Sequence, residues 1–160
     1  MDGAFGLKSG LLQGDILLNL DSETEGELYV GCAGGLDANI TLPYTAEAAP
    51  EGYRAYAVEV KGLKGGHSGI QIICQRANAN KLMFRLLRKL SAQMELKIAS
   101  VDGGGLRNAI PRECVASVLV KSSDVESALA IVAEFEQVAQ AEYAAVEDSI
   151  SIKAQKTVPA

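Results

Sequence analysis

From residue 53 onward the hydrophobic pattern changes period in a fixed order, and this order constrains the fold more than any other feature. Apolar side chains that alternate with other residues indicate a half-buried strand, and apolar side chains at intervals of three and four indicate a helix. Both patterns occur, together with short runs rich in β-branched residues. In chain order the segments are strand 56–60, helix 79–90, strand 96–101, strand 115–120, helix 125–138 and strand 150–152.

That order, β-α-β-β-α-β, predicts an α+β domain of the ferredoxin-like type, in which two helices cover one face of an antiparallel sheet. Ser123 and Glu126 predict a capping box at the start of the second helix. The preceding part of the chain is rich in glycine and contains two apolar runs, 16–20 and 27–32, that are typical of strands. We therefore predict two domains, 1–36 and 37–160.

Charge and composition exclude some classes of function. The chain has 15 Lys and Arg against 20 Asp and Glu, and a net charge of -5 disfavours nucleic acid and anionic membranes as partners. No apolar run reaches the length of a membrane span, and no secretory signal is evident. Three widely spaced cysteines, Cys32, Cys74 and Cys114, indicate reduced, packed thiols of a cytosolic protein.

The single histidine, His67, lies in a glycine-rich segment, Gly65-Gly66-His67-Ser68-Gly69. Glycines let the backbone approach a ligand closely, and an imidazole can donate a hydrogen bond to a developing oxyanion. The alternative is a loop histidine that only caps a turn. Because a catalytic zinc site usually takes three protein ligands, often histidines, one histidine cannot build the common form of that site.

A second glycine-rich segment runs from Gly103 to Pro111 and contains Arg107 and Asn108. These two side chains could bind a carboxylate, and Pro111 keeps the backbone extended before the next strand. The alternative is a flexible connection between strands with solvated polar residues.

Two further candidates precede residue 36. Asp21-Ser22-Glu23 follows an apolar run, and carboxylates beyond a strand end are suitable ligands for a metal, although such residues more often cap a turn. Cys32 could act as a nucleophile only if His67 lay within hydrogen-bond reach, and buried packing is the simpler interpretation.

Taken together, these segments resemble the PepD-type dipeptidases, also called aminoacyl-histidine dipeptidases or cytosol non-specific dipeptidases. The resemblance extends over roughly residues 1 to 150, and the motifs have the same order and spacing. The shared motifs are 10–19, Asp21-Ser22-Glu23, 31–35, 62–69, 78–82 and 106–113.

The resemblance implies a cytoplasmic enzyme with a dinuclear zinc centre, in which Mn or Co can substitute, and with Xaa-His and other dipeptides as substrates. A ferredoxin-like lid, which also suits a homodimer, would follow strands left over from the α/β zinc-peptidase catalytic domain. Asp21 matches a metal ligand, and His67 matches the lid histidine that holds the substrate carbonyl or the tetrahedral oxyanion. Asn108 matches the lid asparagine that contacts substrate, and Arg107 is adjacent to it.

The chain also departs from this family. The His-x-Asp ligand motif, the Glu-Glu pair and the final histidine ligand are absent, and Ile73 stands where the family usually has histidine. We therefore expect an internal piece of the enzyme that is inactive by itself. Two alternatives stay open, namely a stand-alone ferredoxin-like module that binds a small ligand or dimerises, and a hydrolase that uses Cys32 and His67.

Overall fold

The computed structural model describes residues 6–16, 18, 24–31, 34, 36 and 38–158. The chain divides into two compact units, Met1–Tyr44 and Thr45–Ala160, and each is described by itself. The domain boundary at residues 36 and 37 stays a prediction.

A four-stranded antiparallel sheet forms the centre of the second unit. Its strands lie in the order β3-β5-β1-β6, so that each connection through a helix skips one strand. This topology confirms the ferredoxin-like prediction. The elements are β1 (Tyr53–Lys61), β2 (Gly66–His67), α1 (Ala79–Ser91), β3 (Leu96–Gly103), β4 (Ala109–Ile110), β5 (Cys114–Lys121), α2 (Val125–Glu142) and β6 (Ser151–Lys156).

The core lies between this sheet and the two helices. Val58 of β1 faces Ala116 of β5, and Val60 faces both Cys114 and Ile152, so alternate residues of three strands line one face. Both helices contribute buried side chains to the same cluster. The period of 3.6 placed the buried side chains of α1 correctly, and in α2 it did so for Val132 and Phe135. Leu129 and Val138, predicted for the same face of α2, are 38% and 44% exposed, because Ala128, Ile131 and Ala139 face the core in their place.

Local interactions fix the helices. The Asn78 side chain caps α1 by accepting the Lys81 N–H at 3.1 Å. Arg85 of α1 forms two hydrogen bonds to Glu142 of α2, at 3.0 and 2.7 Å. The capping box predicted for α2 is wrong, because a 3₁₀ turn over Ser122–Asp124 precedes the helix and Asp124 becomes its N-cap residue without a side-chain bond.

The described residues of the first unit form turns and irregular backbone. Residues 27–31, predicted as part of a strand, have irregular backbone, because no strand among the described residues of this unit supplies partners for their backbone groups. Leu28 and Val30 are accordingly 97% and 102% exposed. Ile16 and Leu18 are not in a strand either, and the rest of that predicted strand lies outside the described residues.

Candidate functional site

The structure brings the His67 segment and the Asn108 segment together. Strands β2 and β4 form a small antiparallel sheet of their own, in which His67 lies opposite Ala109. Beyond the end of this pair, the Ser68 N–H donates to the Asn108 carbonyl at 2.9 Å. The sequence identified both segments as candidate sites but gave no reason to place them side by side.

Arg107 and Asn108 occupy the centre of a tight turn. The Ala109 N–H donates to the Leu106 carbonyl at 3.2 Å, which closes the four-residue turn. Both central residues are exposed. Their side chains therefore lie at the surface, next to the strand that carries His67.

Backbone amides fix the imidazole of His67. Nδ1 accepts hydrogen bonds from the N–H groups of Gly69 at 3.0 Å and of Ile70 at 3.4 Å. A neutral imidazole with an accepting Nδ1 carries its proton on Nε2. The exposed ring therefore presents Nε2–H as a donor, as an oxyanion site requires.

Glycines make this arrangement sterically feasible. A Cβ atom on Gly69 would lie 3.1 Å from both Nδ1 and Cε1 of His67, so a side chain would crowd the ring. Gly65 and Gly66 have φ angles of 63° and 146°, which L side chains rarely adopt. The Arg76 guanidinium donates to the Gly65 carbonyl at 2.6 Å and holds this part of the backbone.

A buried carboxylate fastens both ends of the His67 loop. Glu147 is only 5% exposed, and its oxygens accept the Lys64 N–H at 2.8 Å and the Ala77 N–H at 3.0 Å. These two donors flank the segment that contains His67. Sequence reasoning missed Glu147, since an acidic residue beside Asp148 after a helix resembles ordinary solvated surface.

The other half of the site is fastened to the start of α1. The Ala79 N–H donates to the Pro111 carbonyl at 3.0 Å, and the Asn80 amide donates to the Gly103 carbonyl at 3.4 Å. An open cavity of about 370 Å³ runs beside this segment. It is lined by Gly104, Leu106, Ala109, Ile110, Pro111, Arg112 and Glu113.

The described residues do not by themselves provide a zinc site. Among them, no three His, Cys, Asp or Glu side chains lie close enough together to hold a metal. Asp21, the predicted metal ligand, lies outside the described residues.

The cysteines divide into different environments. Cys114 is buried as expected, and burial raises the pKa of its thiol, with a smaller contribution from the charge of Asp102, which disfavours a nucleophilic thiolate. Cys74 is exposed, so its predicted packing is wrong, because it ends a short 3₁₀ turn at the surface. Cys32 lies outside the described residues.

Ile73 is 79% exposed in the same turn as Cys74.

Comparison with known proteins identifies the family. Residues 58–147 match the family described as the peptidase dimerisation domain, and the chain belongs to that family.

Among the helices in the described part of the chain, none is long and apolar enough to cross a membrane.

Two relatives agree with the resemblance to PepD-type dipeptidases and confirm it. The cytosol non-specific dipeptidase of Escherichia coli (strain K12) is 43% identical over 152 residues, which cover 95% of this chain and 31% of the relative. The crystal structure of an aminoacylhistidine dipeptidase from Vibrio alginolyticus superposes with a TM-score of 0.76 at 38% identity, over 97% of this chain and 32% of the other. The chain therefore spans about a third of the length of these proteins.

Proposed function

We propose that this chain is a fragment of a cytoplasmic dinuclear zinc dipeptidase that hydrolyses Xaa-His and other dipeptides, and that it combines an edge of the catalytic domain with most of the lid that closes over the substrate. Its two relatives are dipeptidases by name, and it covers about a third of each. The observation that carries the proposal is the accepting Nδ1 of His67, which leaves Nε2–H exposed beside the Asn108 turn. By itself, the chain is expected to be inactive.

In this proposal His67 stabilises the charge that develops during peptide hydrolysis. Attack on the scissile carbonyl places negative charge on its oxygen, and Nε2–H donates a hydrogen bond to that oxygen. Because backbone amides already fix the ring, little reorganisation accompanies the reaction. Asn108 contacts the substrate, and Arg107 lies next to it in the same turn.

The zinc ions belong to the complete enzyme, with Asp21 proposed as one of their ligands. When bound, they supply an activated water and polarise the carbonyl, and Mn or Co can replace them. His67 and Asn108 complement that chemistry, since they bind and orient the substrate.

A grafted enzyme tests the proposal. The aligned 152-residue segment of the Escherichia coli dipeptidase is replaced by the corresponding residues of this chain, and hydrolysis of an Xaa-His dipeptide is measured. His67→Ala should lower kcat by about 10²–10³-fold, the usual effect of removing one oxyanion donor. Gln93→Ala is the matched control, because Gln93 is exposed and lies just beyond the opposite end of α1. A folded, metal-loaded graft without activity, or an active graft indifferent to His67→Ala, would contradict the proposal.

We further propose that two copies of the chain pair through β3. The family is described as a dimerisation domain, and β3 is an edge strand with exposed Ile98 and Val101. An exposed apolar edge is suited to pairing with another strand. Light scattering should show a dimer that Ile98→Glu dissociates, whereas Lys156→Glu on the other edge strand, β6, should leave it intact. A monomeric parent chain would contradict this assignment.

A further inference from the structure

Gln71 contacts both backbone groups of His67. Its side-chain Oε1 accepts the His67 N–H at 2.8 Å, and its own N–H donates to the His67 carbonyl at 3.0 Å. Together the two hydrogen bonds hold the peptide groups on both sides of the His67 Cα atom against Gln71. We propose that Gln71 is the positioning residue of His67, which holds the loop so that backbone amides keep the proton on Nε2.

The small size of the β2–β4 sheet explains why such a clamp is needed. The pairing comprises only two residue pairs, and two isolated strands of this length are not stable in water. The conformation of the loop after His67 must therefore come from other contacts. Gln71 closes the turn that contains Gly69 and Ile70, the two donors to Nδ1.

Gly66 provides the space that the Gln71 side chain occupies. A Cβ atom on Gly66 would lie 2.7 Å from Oε1 of Gln71 and 2.9 Å from Nη1 of Arg76. Two polar side chains thus converge on a position where only glycine leaves room. The same glycine has a positive φ, so its conformation and its missing side chain both serve this contact.

This inference rests on the proposed function for its catalytic meaning, but its test needs no activity. His67 is the only histidine of the chain, so the ring ¹⁵N signals in a labelled sample are unambiguous. At alkaline pH, where imidazoles are neutral, the parent chain should show an unprotonated Nδ1 and a protonated Nε2. Gln71→Met keeps the length of the side chain and removes the acceptor. The ratio of the Nε2–H to the Nδ1–H tautomer should then fall about fivefold, equivalent to about 1 kcal/mol for one hydrogen bond.

Three further variants keep the test decisive. Gln71→Glu retains an acceptor and should keep the parental tautomer ratio. The side chain in Gln71→Asn is too short to reach the His67 N–H, so this variant should show the same fall in the ratio. It serves as a second test if Gln71→Met proves unstable. Gln75→Met alters an exposed glutamine of the same loop and should change nothing. An unchanged ratio in folded Gln71→Met or Gln71→Asn, or an equal fall in Gln75→Met, would overturn the inference.

The two proposals can fail separately. In the grafted enzyme Gln71→Met should lower kcat with little change in KM, because it perturbs a group that acts in the transition state. The loss should be smaller than the roughly fivefold change in the tautomer ratio, because the Nε2–H form stays the larger fraction. Suppose that the parent chain has the Nε2–H tautomer and loses it in the Gln71 variants, but that His67→Ala does not change kcat. The positioning role of Gln71 would then stand, and the proposed function would be refuted.

Discussion

Replacing Glu147 by Gln should destabilise the unit Thr45–Ala160 by about 2 kcal/mol. The carboxylate accepts two backbone N–H groups, and a hydrogen bond to a charged group contributes about 1.5–3 kcal/mol. The amide of Gln keeps one accepting oxygen, which should accept the N–H of the fully buried Ala77. Because this oxygen is neutral, the hydrogen bond weakens to about 1 kcal/mol. Its NH₂ group then faces the N–H of Lys64, an exposed residue where water partly replaces the lost bond.

Glu147→Ala should cost more, about 3–4 kcal/mol, because the Ala77 N–H then stays buried without an acceptor. Urea denaturation of the parent and variant chains measures these differences as changes in the free energy of unfolding, provided that the slope m is unchanged. In a thermal scan, each kcal/mol should lower Tm by about 4 °C.

Asp148→Asn is the matched control for both variants. Asp148 is the neighbouring acid, with a side chain that is 77% exposed and a 2.8 Å ion pair to Lys64. An exposed pair of this kind contributes at most about 1 kcal/mol. A loss in Glu147→Gln no larger than in Asp148→Asn would refute the role of Glu147 as the anchor of the His67 loop.

Two other predictions concern acid stability and activity. The hydrogen bonds from Arg85 hold the pKa of Glu142 below its usual 4.5, so this pair stabilises the fold above that pH, and the contribution is lost as the pH falls through the lowered value. Glu142→Gln should therefore flatten the loss of stability in acid unfolding followed by circular dichroism, and an unchanged acid profile would contradict the pairing. The purified chain, assayed with an Xaa-His dipeptide in added Zn²⁺ or Mn²⁺, should show no turnover. Turnover that survives purification and disappears in His67→Ala would mean that the chain assembles a complete metal site.

The regular elements of the second unit were predictable because burial imposes a period on the sequence. In α1, buried residues such as Leu82, Leu86 and Leu90 recur at intervals of four, and in β1 Val58 and Val60 alternate with more exposed residues. The order of these periods then determined the topology. The split βαβ connections leave few other arrangements of four strands and two helices.

Elements that depend on distant partners were not predictable in this way. Residues 27–31 have the composition of a strand, but a strand needs a neighbour, and the described part of that unit contains none. Glu147 looks like a surface residue in sequence, and only the fold places the Lys64 and Ala77 amides against it. The tautomer of His67 likewise follows from the Gly69 amide and not from the Gly-His-Ser-Gly pattern.

The role of His67 is tested most directly by a crystal structure of the grafted enzyme with a phosphinic dipeptide analogue, whose tetrahedral phosphorus mimics the hydrated carbonyl. We expect His67 Nε2 at about 2.7–3.1 Å from a phosphinic oxygen. Nδ1 should still accept the Gly69 N–H, as it does in the chain without ligand. An imidazole that turns Nδ1 towards the phosphinic oxygen, or that lies beyond hydrogen-bond reach of it, would contradict the assignment of His67 as the oxyanion donor.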